Sequence, residues 1–238
     1  MKIAIIGYGK MGKAIETIAL KRGHSIVLRS STQEPFVASD LEEADVAIEF
    51  TRPEEAVKNI FKCFEGNTPV VTGTTGWFTR LSEVKAECIS QNQSLFYASN
   101  FSLGVNLFFQ LNKELSRLMN SHQEYSASMR EIHHTQKKDA PSGTAISLAE
   151  DIIFESSTYD SWVNDEAADN NQLSILSERI DNVPGTHEIT WASDIDKIEI
   201  IHTAFGREGF ALGAVIAAEW IVNKKGAFTM KHLLNIES

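Results

Sequence analysis

The side chains best suited to chemistry lie close together near the middle of the chain, in residues 131–145. Two adjacent histidines, His133 and His134, are followed by two adjacent lysines, Lys137 and Lys138. A histidine can act as an acid or a base near neutral pH. A lysine can bind an anion or donate a proton. Solvated surface charges are the alternative interpretation, which this density of functional side chains disfavours.

The same segment runs into a predicted helix whose first residues are Ser142-Gly143-Thr144. The hydroxyls and free N–H groups of such a helix start can bind a carboxylate. A metal site would need a cysteine or carboxylate partner at a suitable spacing, and the sequence pattern supplies none. We therefore expect an anion-binding site with acid–base groups and no metal.

A glycine-rich turn near the N-terminus is the second candidate site. Gly7, Gly9 and Gly12 follow an apolar segment at residues 3–6 and precede residues of helical periodicity. Gly7 would permit a tight turn, Gly9 the approach of a pyrophosphate, and Gly12 close packing of helix on strand. Between a strand and a helix, this spacing predicts a dinucleotide site, although a turn that binds nothing is the alternative.

The residues after the second predicted strand bear on the choice of cofactor. The chain reads Leu28-Arg29-Ser30-Ser31-Thr32, without the acidic residue that usually binds an unmodified ribose. Arg29 suits the 2′-phosphate of NADPH better than the 2′-hydroxyl of NADH, unless it is only a solvated loop charge. We expect NADPH or NADH as cofactor, with NADPH favoured.

Predicted strands and helices alternate as far as residue 101, which indicates a doubly wound, Rossmann-like parallel sheet. The pattern then changes to a long helix at 105–119, a strand at 126–132, a helix at 145–154 and strands at 173–177, 187–192 and 197–204. Residues 156–171 show no periodicity and are expected to form a surface loop or a frayed helix end. We predict an α/β protein with a second α+β domain built on a mixed or antiparallel sheet. The expected dinucleotide-binding domain is 1–101, completed by about 209–238, and the expected substrate-binding and oligomerisation domain is 102–208.

Composition narrows the class of protein. The chain has 238 residues, 42% of them hydrophobic, and a net charge of −10. Such an acidic surface disfavours nucleic acid and anionic membranes as partners. No segment has the ~20 apolar residues of a membrane span, and the N-terminus lacks the features of a signal peptide. Cys63 and Cys88 fit buried thiols, so we expect a soluble, cytoplasmic protein.

The segment from His133 to Ala145, His-His-x-x-Lys-x-Asp-Ala-Pro-Ser-Gly-Thr-Ala, resembles the signature of the 4-hydroxy-tetrahydrodipicolinate reductase (dihydrodipicolinate reductase) family of lysine and diaminopimelate biosynthesis. Further similar stretches follow the family's order: the glycine turn with Lys10-Met11-Gly12, then Gly73-Thr74-Thr75-Gly76, then Ala98-Ser99-Asn100-Phe101. The resemblance covers most of the chain, although the region 173–204 is shorter than in longer members of the family.

The resemblance implies an NAD(P)H-dependent oxidoreductase that reduces a small cyclic dicarboxylate with loss of water, commonly as a homotetramer. It implies that His133 is the acid/base residue and that Lys137 is the proton donor. The implied carboxylate ligands are His134, Lys137, Gly143 and Thr144, to which the helix start adds Ser142. The implied cofactor-lining residues are Gly7, Tyr8, Gly9, Lys10, Met11, Gly12, Gly73, Thr74, Thr75, Ala98, Ser99, Asn100 and Phe101.

Two other functions fit parts of the pattern. A related two-domain dehydrogenase acting on aspartate or a sugar would share the glycine turn but not the segment that begins at His133. A regulatory module that binds NAD(P) without turnover would lack the proton donors, and this chain has both His133 and Lys137. The reductase is the function that the sequence favours.

Overall fold

A six-stranded parallel sheet forms the frame of the first of two compact units in the computed structural model, which describes residues 1–167 and 169–236. This unit contains Met1–Leu103 and Arg207–Ser238. In sheet order its strands are β11 (Gly226–Phe228), β5 (Ser94–Tyr97), β4 (Val70–Thr72), β3 (Val46–Glu49), β1 (Lys2–Ile6) and β2 (Ser25–Ser30). Its helices are α1 (Lys10–Lys21), α2 (Pro53–Glu65), α3 (Leu81–Ser90), α6 (Glu208–Ile221) and α7 (Met230–Leu233).

Strand β1 is covered on both faces, which is why its sequence is continuously apolar. Ile3 and Ile5 belong to a core that includes residues of α1 and α6, whereas Ala4 and Ile6 belong to a second core that includes residues of α2 and α3. The two cores lie on opposite faces of the sheet because successive side chains of a strand alternate. The predicted doubly wound sheet is confirmed.

The second unit, Gly104–Gly206, is built on a five-stranded mixed sheet. Its strand order is β10 (Lys197–Ala204), β9 (Gly185–Ala192), β6 (Ser126–His133), β8 (Gln172–Arg179) and β7 (Ser161–Val163). Strand β6 pairs parallel with β8 and antiparallel with β9. Helices α4 (Leu103–Met119) and α5 (Gly143–Glu155) contribute to the core on one face of this sheet.

Two short strands lie in segments for which the sequence pattern predicts none. The predicted loop at 156–171 is wrong for Ser161–Val163, which forms β7, and residue 168 of that loop is outside the described residues. Near the C-terminus, Gly226–Phe228 forms β11 and Met230–Leu233 forms α7. A strand of three residues is too short to show a periodicity in the sequence. Main-chain pairing defines both strands: β7 pairs with β8, and β11 pairs with β5.

No helix in the described ranges is long and apolar enough to cross a membrane.

Helix α6 offers a test of how tightly the first unit is packed. A Cβ atom at Gly213 would lie 1.7 Å from the carbonyl oxygen of Phe101, whereas one at Gly209 would lie 3.7 Å from the nearest atom, Ser102 Oγ. Helix propensity favours alanine over glycine by up to about 1 kcal/mol at either position. Overpacking costs about 1–3 kcal/mol and outweighs this gain only at Gly213.

We therefore expect Gly213→Ala to lower the free energy of unfolding by about 2 kcal/mol. The matched control Gly209→Ala should leave it unchanged or slightly higher. Urea unfolding followed by circular dichroism measures both. Equal stability of the two variants would show that the contact with Phe101 relaxes without cost.

Candidate active site

The glycine turn between β1 and α1 is fixed by close packing. Gly7 has a φ of 96°, and the N–H groups of Gly7 and Tyr8 donate to the carbonyl of Ser30 at 3.0 and 2.9 Å. A Cβ at Gly7 would lie 2.0 Å from the Phe50 carbonyl oxygen, and one at Gly12 would lie 2.4 Å from the Gly7 carbonyl oxygen. Both positions therefore require glycine for the turn itself.

Gly9 differs from these two glycines because a Cβ there would meet no atom within 4 Å. It is the N-cap of α1 and supplies no side-chain cap, so the first N–H groups of the helix have no side-chain partner from this residue. An anion can approach such a helix start closely. The turn therefore fits the pyrophosphate of a dinucleotide. Next to it, Lys10 is exposed and Met11 is partly buried against the core.

A cleft of about 510 Å³ lies beside the turn. Gly7, Tyr8 and Gly9 line it together with residues that follow β2. Its other wall comes from the start and one face of α2, and it includes charged residues that the sequence analysis did not single out: Arg52, Glu55, Lys58 and Lys62. Lys58 lies 3.9 Å from Glu55 and Lys62 donates to the Phe36 carbonyl, so three basic groups face one acidic group in the cleft. The cleft is therefore suited to an anionic ligand in spite of the net charge of the chain.

Arg29 does not belong to the described residues that line this cleft. Its guanidinium pairs with the Glu16 carboxylate, which also accepts a hydrogen bond from the Tyr8 hydroxyl. The hydrogen bonds from Arg29 and Tyr8 lower the pKa of Glu16, and the same carboxylate raises the pKa of Arg29. The positive charge of Arg29 is thus already balanced within the protein.

The predicted cofactor segment at 73–75 is held by a buried carboxylate, Glu49, at the end of β3. Thr72 and Thr74 donate hydrogen bonds to Glu49 at 2.6 and 3.0 Å. A Cβ at Gly73 would lie 2.1 Å from the Phe50 ring. The Thr74 side chain is therefore structural, and Thr75 is the exposed residue of the segment.

The segment at 98–101 also divides into core and surface residues. The ring of Phe101 is buried against Phe50 and Phe96, with centroid distances of 5.7 and 5.8 Å. Ser99 is exposed, whereas Ala98 and Asn100 are partly buried. Any contact of Phe101 with a cofactor would have to come from its main chain.

In the second unit, β6 places two of the chemically important side chains on one face. Ala127, Met129, Glu131 and His133 alternate onto the buried face of this strand, so the apolar core continues directly into a carboxylate and an imidazole. Glu131 Oε2 is in ion-pair contact with His133 Nδ1, and Arg179 Nη2 donates to Glu131 Oε1 at 2.8 Å. Burial alone would raise the pKa of Glu131, but hydrogen bonds from His133 and Arg179 outweigh burial and lower it to about 2.

The loop after β6 carries the predicted proton donor. Lys137 Nζ donates to Asp139 Oδ2 at 2.7 Å, and the main-chain N–H of Lys137 donates to the His134 carbonyl at 3.0 Å. The hydrogen bond from Lys137 lowers the pKa of Asp139. His134 is partly buried, and Lys138 is exposed. The two lysines are therefore distinguished by their surroundings.

The start of α5 is capped by Ser142, whose hydroxyl accepts a hydrogen bond from the Ala145 N–H at 3.1 Å. The same hydroxyl lies 3.1 Å from His187 Nε2 on β9. A Cβ at Gly143 would meet no atom within 4 Å, and Thr144 is partly buried. Because Ser142 caps the Ala145 N–H, the first N–H groups of α5, on Gly143 and Thr144, are the ones suited to a carboxylate.

Glu131, His133 and His187 bring one ligand-type atom each within 4.8 Å of the others. Burial and the nearby His133 lower the pKa of His187 to about 4, so its imidazole is neutral at pH 7. The expectation of no metal rested on spacing alone, yet the fold brings these three residues together. Because Arg179 and His133 already occupy the Glu131 carboxylate, the cluster fits an ion-pair network best.

Sequence reasoning missed the roles of Glu131, Arg179 and His187 in this cluster. Glu131 could have been found, because it lies two residues before His133 on a strand and therefore shares its face. Arg179 and His187 come from β8 and β9, and their approach depends on strand pairing that no local pattern encodes. The structure thus groups the predicted catalytic and substrate-binding residues in one unit and the predicted cofactor-binding residues in the other.

Comparison with known proteins gives a consistent result. Family models described as the N-terminus and the C-terminus of dihydrodipicolinate reductase match residues 1–101 and 104–234. A 4-hydroxy-tetrahydrodipicolinate reductase of Christiangramia forsetii is 49% identical over 236 residues, which cover 99% of this chain and 98% of the relative. A protein of the same name from Neisseria gonorrhoeae is 30% identical and covers 100% of this chain and 98% of its own length.

Solved structures show the same fold. A dipicolinate-bound dihydrodipicolinate reductase from Paenisporosarcina sp. TG-14 superposes with a TM-score of 0.76 at 20% identity, and the match covers 100% of this chain and 99% of that one. An amine dehydrogenase from Mycobacterium smegmatis gives a TM-score of 0.60 at 10% identity and covers 96% and 94%. Because the sequence identities are this low, the structural matches establish the fold and nothing further.

The burial of His187 predicts a dependence of stability on pH. The unfolded chain binds a proton at His187 below about pH 6.5, which the folded unit does not accept until about pH 4. Stability is therefore lost as the pH falls through this range, by about 2 kcal/mol between pH 7 and pH 5. His187→Gln should show a smaller loss over the same interval, even if it is less stable at pH 7.

Urea unfolding at pH 7 and pH 5 measures this difference. His122→Gln is the matched control because His122 is exposed and should keep the wild-type pH dependence. An unchanged pH dependence in His187→Gln would mean that the folded protein protonates His187 as readily as the unfolded chain does.

Proposed function

The chain belongs to the dihydrodipicolinate reductase family, and we propose that it reduces 4-hydroxy-tetrahydrodipicolinate to tetrahydrodipicolinate in lysine and diaminopimelate biosynthesis. The observation that carries the proposal is the segment from His133 to Thr144, which combines an imidazole, an ammonium and a helix start within one compact unit. The relatives that share the chain's full length bear the name of this reductase.

One unit would bind the cofactor and the other would bind the substrate. Residues 1–101, completed by about 209–238, would bind the dinucleotide at the turn of Gly7, Gly9 and Gly12. Bound nicotinamide would supply the hydride. The segments at 73–75 and 98–101 would contribute mainly main-chain groups, because Thr74 and Phe101 use their side chains within the protein. Residues 102–208 would bind the substrate.

The substrate carries two carboxylates, so its site must supply clustered donors in an otherwise acidic chain. The N–H groups of Gly143 and Thr144 at the start of α5 would bind one carboxylate, with Ser142 holding the helix start in place. His134 and Lys137 would add donors from the preceding loop. Anion binding would thus come from a helix dipole and one ammonium instead of a broad basic surface.

The reaction takes up one hydride and one proton and releases one water. Loss of water takes a proton from the ring carbon beside the hydroxyl-bearing carbon and gives one to the leaving oxygen, and His133 at the end of β6 would serve as the acid/base group for this exchange. The ring carbon beside the point of hydride addition needs a proton, which Lys137 would donate. The ammonium of Lys137 could both bind a substrate carboxylate and deliver the proton.

We propose that NADPH is preferred over NADH. Arg52, Lys58 and Lys62 in the cleft beside the glycine turn would favour the additional phosphate. Arg29 would contribute as well, although its pairing with Glu16 reduces the charge that it can offer. Glu16 would therefore set how strongly the enzyme discriminates between the cofactors.

The enzyme would act in the cytoplasm and as a homotetramer. Cys63 and Cys88 are free and buried, which fits a reducing compartment. The face of the second sheet opposite its helices exposes apolar side chains, with Leu176 and Ile201 at 43% and 58% exposure. A self-complementary contact through this face would cover them.

The function is tested by supplying freshly prepared 4-hydroxy-tetrahydrodipicolinate and following the loss of reduced-nicotinamide absorbance. Lys137→Ala should lower turnover by about 10²-fold or more, since it removes a positioned proton donor. Lys138→Ala is the matched control, because Lys138 is exposed in the same loop, and it should retain wild-type turnover. Normal turnover in folded Lys137→Ala would refute the role of Lys137. No turnover by the wild-type enzyme with either cofactor would refute the function.

The cofactor proposal predicts opposite effects of two neighbouring substitutions. Arg29→Gln should lower the ratio of kcat/KM for NADPH over NADH by about tenfold, the size of one charged hydrogen bond. Glu16→Gln should raise this ratio, because it frees the guanidinium. Arg80→Gln removes a comparable exposed pair with Glu83 and should change nothing. A ratio unaffected by both Arg29→Gln and Glu16→Gln would contradict the assignment.

A further inference from the structure

Glu131 is buried at the end of a strand face that is otherwise apolar, and its side chain is 1% exposed. A carboxylate in this position is costly unless both oxygens are paired. Oε1 accepts from Arg179, and Oε2 is in ion-pair contact with His133 Nδ1 without the alignment of a full hydrogen bond. The charge of Glu131 is therefore shared between a permanent cation and the imidazole that serves as the acid.

The other nitrogen of His133 faces a different environment. A Cβ at Gly185 would lie 3.0 Å from His133 Nε2, so the ring packs against the Gly185 main chain at a distance that a larger residue would not allow. Because Nδ1 contacts Glu131 Oε2, Nε2 is the ring nitrogen that remains for proton exchange with a substrate. The contact with Glu131 thus selects which nitrogen does the chemistry.

Arg179 extends the network to the loop of Lys137. It lies opposite His133 in the register of β8 and β6. Its Nη2 donates both to Glu131 and, at 2.6 Å, to the main-chain oxygen of Asp139, whose carboxylate holds Lys137. One guanidinium therefore ties the strand that carries the acid to the loop that carries the proton donor.

We propose that Glu131 and Arg179 are positioning residues for the reductase reaction: Glu131 orients the His133 ring, and Arg179 fixes the loop of Lys137 relative to it. This inference rests on the proposed function, because it assigns the pair to the acid and the proton donor of that reaction. Neither residue needs to touch the substrate for this role.

The charged and titratable groups around His133 come from every element packed near it. They are Glu131 on β6, Arg179 on β8, His187 on β9, His202 on β10, and Lys137 and Asp139 in the loop. Glu131 is the group in direct contact with the ring, so removing its charge should destabilise the imidazolium more than any other single change.

The test is Glu131→Gln, which keeps the size of the side chain and removes its charge. We expect kcat to fall about tenfold to 10²-fold, within the range of acid–base catalysis, with KM nearly unchanged. The limb of the pH–rate profile due to His133 should move toward lower pH. In a His133→Gln background the same substitution should cost little more, because its effect acts through His133.

Two further variants keep the test decisive. Glu131→Asp retains the charge for Arg179 but draws the carboxylate back from His133, so it should fold, lose rate and keep the pH profile near its wild-type position. If Glu131→Gln does not fold, the measurements on Glu131→Asp take its place. Glu114→Gln is the matched control, since Glu114 pairs with Arg117 on the exposed surface of α4, and it should keep wild-type kcat.

The possible results distinguish a failure of the proposed function from a failure of the positioning role. An inactive wild-type enzyme would refute the proposed function. An active wild type with folded variants at position 131 that match it in kcat and pH profile would refute only the positioning role. Additive losses in the double variant, or an equal loss in Glu114→Gln, would also overturn that role in favour of a general effect on the second unit.

Discussion

A charge buried in a protein must be paired, and this requirement organises the second unit around Glu131. The carboxylate ends the apolar face of β6 and is stabilised by Arg179 from β8 and by His133 from its own strand. Because Arg179 also holds the Asp139 carbonyl, the same interaction fixes the loop that leads to α5. The positions of the imidazole, the ammonium and the helix start therefore depend on one ion pair.

The first unit meets a similar requirement with different chemistry. Glu49, also buried at the end of a strand, is surrounded by the hydroxyls of Thr51, Thr72 and Thr74. These hydrogen bonds hold the segment after β4, while Gly7 and Gly12 allow the turn after β1 to pack closely. Main-chain groups are thereby presented at the carboxyl edge of the parallel sheet, where open α/β sheets bind their ligands.

Although the chain has a net negative charge, it groups hydrogen-bond donors and basic side chains at a few places. Basic side chains converge on the cleft beside the glycine turn, and the start of α5 adds main-chain N–H groups next to Lys137. Other basic groups are balanced within the protein, as Arg29 is by Glu16. Charge counted along the sequence therefore says little about a site, because pairing decides which charges a ligand meets.

The sequence by itself determined the order of elements, the parallel sheet, the glycine turn and the segment from His133 to Thr144, because each depends on local periodicity or on residue types at short spacing. Tertiary structure alone decided what requires contact between distant residues. It added β7 and β11, engaged Arg29 with Glu16, placed Phe101 in the core, and brought Arg179 and His187 to His133. Strand pairing and burial act across the whole chain, so no local pattern encodes these partners.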